Sequence, residues 1–108
     1  MTADRKLIFD NLGREEILCQ LAEECAELTQ AALKLRRVYT GKNPTPVTNE
    51  QAVSRLIEEI ADVRICVEML FLTPTEEETV NKTIEQKVKR WVQRIKNEKE
   101  KGVKFEQT

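Results

Sequence analysis

Apolar positions recur along this chain at alternating steps of three and four. They run first through Leu18, Leu21, Cys25, Leu28, Ala32 and Leu35, then through Val53, Leu56, Ile60, Val63, Val67 and Leu70. That spacing predicts two α-helices, each laying one face against a neighbour. The two segments superpose at an offset of 35 residues. Leu21 then matches Leu56, Glu23 Glu58, Glu24 Glu59, Ala26 Ala61, Glu27 Asp62, Leu28 Val63 and Leu35 Leu70. One helical pattern is used twice. A third stripe, Val80, Ile84, Val88, Trp91 and Ile95, predicts a helix at the C-terminal end.

The punctuation between these stripes sets the expected boundaries. Leu7, Ile8, Phe9 and Leu12 predict a short helix or ordered arm over 4–12, ended by Gly13. The first long helix is expected from Arg14 to Val38, stopping in Thr40–Pro46, where one glycine and two prolines forbid helix. Thr48 and Gln51 have the form of a capping box and should open a second helix that runs to Leu72. Pro74 is expected to break it, and Thr75 with Glu78 to cap the last helix. Lys96, Lys99 and Lys101 suit the C-terminal dipole of that helix, and Gly102 its C-cap. The tail Val103–Thr108 is left loose or against a partner. The expected fold is all-α, a helical bundle of three long helices plus a short N-terminal one, in a single domain over 1–108. The small size and the apolar patch Leu7–Phe9 predict completion by a second copy, as a homodimer or homotetramer.

Acidic residues interrupt this pattern. At about 100° per residue, Glu24 and Glu59 fall roughly 70° from the middle of their stripes, with Glu27 and Asp62 about 130° away on the same side. Each helix is therefore expected to carry two carboxylates one turn apart on one flank of its buried stripe, so that four converge if the helices pack side by side. Like charges at this spacing cost a helix about 0.2–0.5 kcal/mol. No Lys or Arg lies three or four residues from Glu23, Glu24, Glu27 or Asp62, and only Arg55 can help Glu58 and Glu59. On the last helix, by contrast, Glu78 faces Lys82 and Glu85 faces Lys89.

Composition narrows the chemistry. Charged residues make up 34% of the chain with a net charge of −1, so no basic field favours a nucleic acid polymer. No apolar run approaches the ~20 residues of a membrane span, and the polar N-terminus is unlike a secretory signal. Cys19, Cys25 and Cys66 lie in or beside the stripes, which predicts small core residues in a reducing, cytoplasmic setting. The absence of histidine removes zinc chemistry of the usual kind and both Ser-His and Cys-His catalysis. Four carboxylates without soft ligands make a hard oxygen site suited to Mg²⁺ or Mn²⁺. The residues by themselves point to a metal-dependent enzyme acting on phosphates, with a merely solvated acidic flank as the alternative.

Glu24-x-x-Glu27 followed by Glu59-x-x-Asp62, each preceded by a further glutamate, resembles the MazG-like all-α nucleoside triphosphate pyrophosphohydrolases over residues 14–95. The 31 residues between Glu27 and Glu59 reach the long end of that family's pattern, in the Pro-rich connector. The resemblance implies hydrolysis of a nucleoside triphosphate (ribo or deoxy) between the α and β phosphates, giving the monophosphate and pyrophosphate in nucleotide-pool cleaning. It implies that Glu24, Glu27, Glu59 and Asp62 bind Mg²⁺, and that the enzyme is a dimer or tetramer. Glu23 and Glu58 become supporting groups or a general base, although they face farther from the site, and the general base stays unassigned. Lys87, Arg90 and Arg94 form one strip on the last helix and are the candidates for the substrate phosphates, with a solvated helix face as the alternative. Trp91 is expected in the apolar stripe, and Arg36 and Arg37 as partners of a helix dipole. Two alternatives remain open: a non-catalytic helical binding or adaptor module, and a related phosphoribosyl-ATP pyrophosphohydrolase.

Overall fold

The computed structural model describes residues 2–70 and 73–106, with side chains as far as Gly102. Its three helices are α1, Ala3–Thr40, α2, Asn49–Leu70, and α3, Pro74–Glu106. The fold is all-α. Among the described residues no helix is long and apolar enough to cross a membrane.

Helix α1 is two helices joined at Gly13. There φ is +78° and ψ 166°, a conformation that side chains with a Cβ avoid, so the expected short N-terminal helix and the long helix after it are distinct. Thr2 caps the first, accepting a hydrogen bond from the Arg5 amide at 3.3 Å. Gly41 ends the second in the left-handed region (φ +64°), its N–H donating to the Arg37 carbonyl at 2.9 Å.

The capping box of α2 forms as expected. The Thr48 amide donates to Gln51 Oε1 at 2.9 Å, and the Gln51 amide donates to Thr48 Oγ1 at 3.1 Å. Thr48→Ala should lower stability by about 1 kcal/mol, read as a shift of the urea midpoint; an unchanged midpoint would show that the box holds nothing. The cap of α3 differs from the expectation. Thr73, not Thr75, accepts from the Glu76 amide at 3.2 Å, and Pro74 opens the helix instead of only ending the previous one. A proline in the first helical position loses no hydrogen bond, which is why it serves there. Gly102 likewise lies inside α3, which continues to Glu106. The predicted end of α2 at Phe71 and Leu72, and the tail residues Gln107 and Thr108, lie outside the described residues.

The chain forms two compact units, Met1–Leu72 and Thr73–Thr108. In the first, α1 and α2 pack antiparallel. Ile17, Cys66, Met69 and Leu70 form the core at one end, with Phe9 and Leu21 against it. Arg5 Nε reaches Glu68 across the pair at 2.9 Å. The second unit is α3 alone. A single helix has no second face within its unit to cover its apolar stripe, and Ile84, Val88, Trp91 and Ile95 are exposed, Trp91 by 65%. Glu78 and Lys82 pair at 3.1 Å.

The buried stripe of the first unit corrects the one expected. On α1 it runs through Ile17, Leu21, Glu24, Leu28, Ala31 and Leu35; on α2, through Ala52, Leu56, Glu59, Val63, Cys66 and Leu70. The three-four rhythm and the offset of 35 residues both persist. Every second step, however, falls one residue earlier than the purely apolar choice. Leu18, Cys25 and Ile60 are exposed, Ile60 by 39%, while Glu59 is only 2% exposed. The reason is the carboxylates themselves. A reading by hydropathy keeps Glu24 and Glu59 out of the interface, whereas the packed pair places them at its centre.

Candidate metal centre

Glu24 and Glu59 occupy equivalent positions in the two helices, midway along the antiparallel pair. One turn further on, Glu27 and Asp62 join them. Each of the four offers a carboxylate oxygen, and these atoms all lie within 4.8 Å of one another. The sequence placed these acids on the flank of the interface. The structure places two of them in it.

Each central glutamate is held by the residue one turn before it. Gln20 Nε2 donates to Glu24 Oε1 at 2.7 Å, and Arg55 Nη2 donates to Glu59 Oε1 at 2.9 Å. Gln20 and Arg55 are themselves related by the repeat. The Arg55 contact was legible as an i,i+4 pair. The Gln20 contact has the same i,i+4 spacing, with an amide in place of a cation. The second oxygens are different. Glu24 Oε2 and Glu59 Oε2 are buried and meet no hydrogen-bond partner among the described residues. Burying an ionised carboxylate without a donor or cation is costly. This pair of orphaned oxygens is what a cation between the helices would satisfy.

The electrostatics agree. Burial raises the Glu59 carboxyl above its ordinary range; Arg55 opposes the shift, and the carboxylates of Glu27 and Asp62 add to it. The Gln20 amide holds the Glu24 carboxyl down, but burial and the charges of Glu27 and Asp62 outweigh it, so it too is raised. Without a counterion, Glu24 and Glu59 therefore resist ionisation beside the neighbouring carboxylates. Cys66 lies beside them. Burial, followed by Glu24, Asp62 and Cys25, pushes its thiol up and away from the thiolate that a soft metal would need. The clustered donors are oxygen only, a set that suits a hard cation.

The other expected residues fall elsewhere. Glu23 and Glu58 are exposed and outside the cluster, and Glu58 approaches Arg55 only to 3.8 Å. Cys19 and Cys25 are exposed free thiols, not core residues; only Cys66 is buried. Lys87, Arg90 and Arg94 are exposed on α3, in the second unit. Arg37 lies in the last turn of α1, as expected of a dipole partner, and also lines a cleft of about 590 Å³ next to the cluster. No family model, curated protein or solved structure matches the chain.

Proposed function

We propose that this protein is a magnesium-dependent nucleoside triphosphate pyrophosphohydrolase, which hydrolyses its substrate between the α and β phosphates to the monophosphate and pyrophosphate. The observation that most supports the reading is the convergence of Glu24, Glu27, Glu59 and Asp62, with two buried carboxylate oxygens that meet no hydrogen-bond partner among the described residues. These four would hold the ion. Bound there, Mg²⁺ (or Mn²⁺) would neutralise the phosphate chain and activate a water for attack on phosphorus. Gln20 and Arg55 fix one oxygen of each central glutamate and leave the other for the ion. Lys87, Arg90 and Arg94 are proposed to meet the substrate phosphates. A homodimer or homotetramer is proposed to cover the exposed apolar residues Leu18, Ile60, Ile84 and Trp91. The proposed setting is the cytoplasm, in nucleotide-pool cleaning.

Pyrophosphate release over the common and modified nucleoside triphosphates, with Mg²⁺ and with chelator, tests this directly. Release of pyrophosphate from at least one of them, abolished by chelator, is the expected result. A chain that releases none, and whose melting ignores Mg²⁺, is instead a helical binding module. Phosphoribosyl-ATP belongs in the same screen, because its hydrolysis would move the assignment to the related pyrophosphohydrolase.

A further inference from the structure

The two ends of the α1–α2 pair differ, and the repeat shows why. At one end Ile17 meets Cys66 and Met69, which fill the space. At the other end the residues equivalent to Ile17 and Cys66 are Ala52 and Ala31, both too small to fill it. The result is the cleft of about 590 Å³, whose polar lining includes Glu27, Gln51, Lys34, Arg37 and Arg55. Lys34 stands where the repeat has Met69 at the closed end. An apolar plug at one end is replaced by a cation at the other.

Lys34 and Arg37 of this cleft have no acidic partner on their own helix. No acidic residue lies three or four positions from Lys34 or Arg37, and the two are themselves like charges one turn apart, an arrangement that is unfavourable in an isolated helix. Among the described residues neither forms an ion pair. Arg37 is in the last turn and gains from the helix dipole, but Lys34 lies a turn further in. Lys34 shares a face with Glu27, since seven residues are close to two full turns and carry it about 10 Å along the axis, and Arg37 lines the same cleft about one turn beyond. Arg55 lines the cleft while holding Glu59 at 2.9 Å, so the cleft and the acid cluster share a wall.

We infer that Lys34 and Arg37 form a phosphate-binding subsite, which takes a phosphate group of the same ligand whose other end lies on the four-acid centre. The inference rests on the proposed metal site. It deepens that reading by requiring a ligand with phosphate both at the acids and in the cleft. Such a phosphate has two sources: the far end of a polyphosphate chain, or a second phosphate elsewhere on a nucleotide.

The test uses the full chain and the double variant Lys34→Gln with Arg37→Gln, by calorimetric titration with and without Mg²⁺. One arm uses inorganic tripolyphosphate. The other compares a nucleoside monophosphate with the corresponding bisphosphate. Loss of the charge-assisted contacts should weaken the relevant ligand by about tenfold or more. Weakened tripolyphosphate binding assigns the cleft to the polyphosphate end. Loss of only the bisphosphate's advantage over the monophosphate assigns it to a second phosphate on a nucleotide. Unchanged affinity in both arms, or a wild-type protein that binds neither tripolyphosphate nor the bisphosphate, overturns the subsite. The melting response to Mg²⁺ alone should be the same in both proteins. Its absence from the wild type would refute the acid centre separately, with the metal-free titrations still deciding the cleft.

Discussion

Asp62→Asn should lower Mg²⁺-dependent pyrophosphate release by at least about a hundredfold, the scale set by removing one key electrostatic group from an active site. Asp62 stands one turn after Glu59 and offers an oxygen within 4.8 Å of those of Glu24, Glu27 and Glu59. The amide keeps the shape of the side chain but removes a full negative charge from the set proposed to hold the ion. The fall should appear mainly in kcat/KM, and raising Mg²⁺ should recover part of it if weakened metal binding is the cause. Asp62 differs in this from Glu58, which is exposed and outside the cluster. Glu58→Gln should leave activity within about threefold, in line with the small effects usual for surface substitutions. Wild-type kinetics in Asp62→Asn would end the catalytic assignment, as would an equal loss in both variants.

The second large effect is on stability, and its sign depends on the metal. A ligand that binds only the native state stabilises it by mass action, so Mg²⁺ at about a hundred times its Kd should raise Tm by roughly 10 °C in a domain of this size. The pH dependence follows from Glu59 and Glu24, whose carboxyls are raised above the ordinary value of 4.5 in the folded, metal-free protein. A raised carboxyl binds its proton more tightly in the folded than in the unfolded state. Its contribution to stability is therefore complete below the unfolded pKa and is lost as pH rises through the folded one. Metal-free protein should thus lose stability from these groups as pH rises above 4.5 toward neutrality. With Mg²⁺ the slope reverses, because the ion requires the ionised carboxylates and binds more tightly as they deprotonate. Glu59→Gln should flatten the metal-free slope, since a neutral amide replaces the most buried acid, and should abolish most of the Mg²⁺ response. Thermal unfolding at several pH values, with Mg²⁺ and with chelator, reads all of these. Parallel curves for wild type and Glu59→Gln would remove Glu59 from the centre.

The periodicity of this chain determined much of its architecture without any tertiary information. Steps of three and four specify a helix, the repeat at an offset of 35 residues gives α1 and α2 the same pattern, and Gly13, Gly41 and the Thr48–Gln51 box mark ends that local backbone chemistry enforces. The four acids were legible for a related reason. They recur in the same register on both helices, without the cations that would make them an ordinary surface.

Which face of each helix turns inward was decided only by packing. Leu18 or Ile17, Cys25 or Glu24, and Ile60 or Glu59 satisfy the same helical rhythm, one residue apart. Hydropathy prefers the apolar member of each of the last two pairs, because it weighs residues one at a time against water. The packed pair instead buries Ile17 and Glu59 and half-buries Glu24, and a glutamate at the centre of an interface is tolerable only where other groups meet its oxygens. Gln20 and Arg55 meet one oxygen each and leave the second open. The cleft depended on packing in the same way. Ala31, Ala52, Lys34 and Arg55 are ordinary helical residues in sequence, and they line a common cavity only because antiparallel pairing sets two alanines opposite one another. Sequence spacing records which residues share a helix face, whereas the space between two helices depends on the volumes that meet across it.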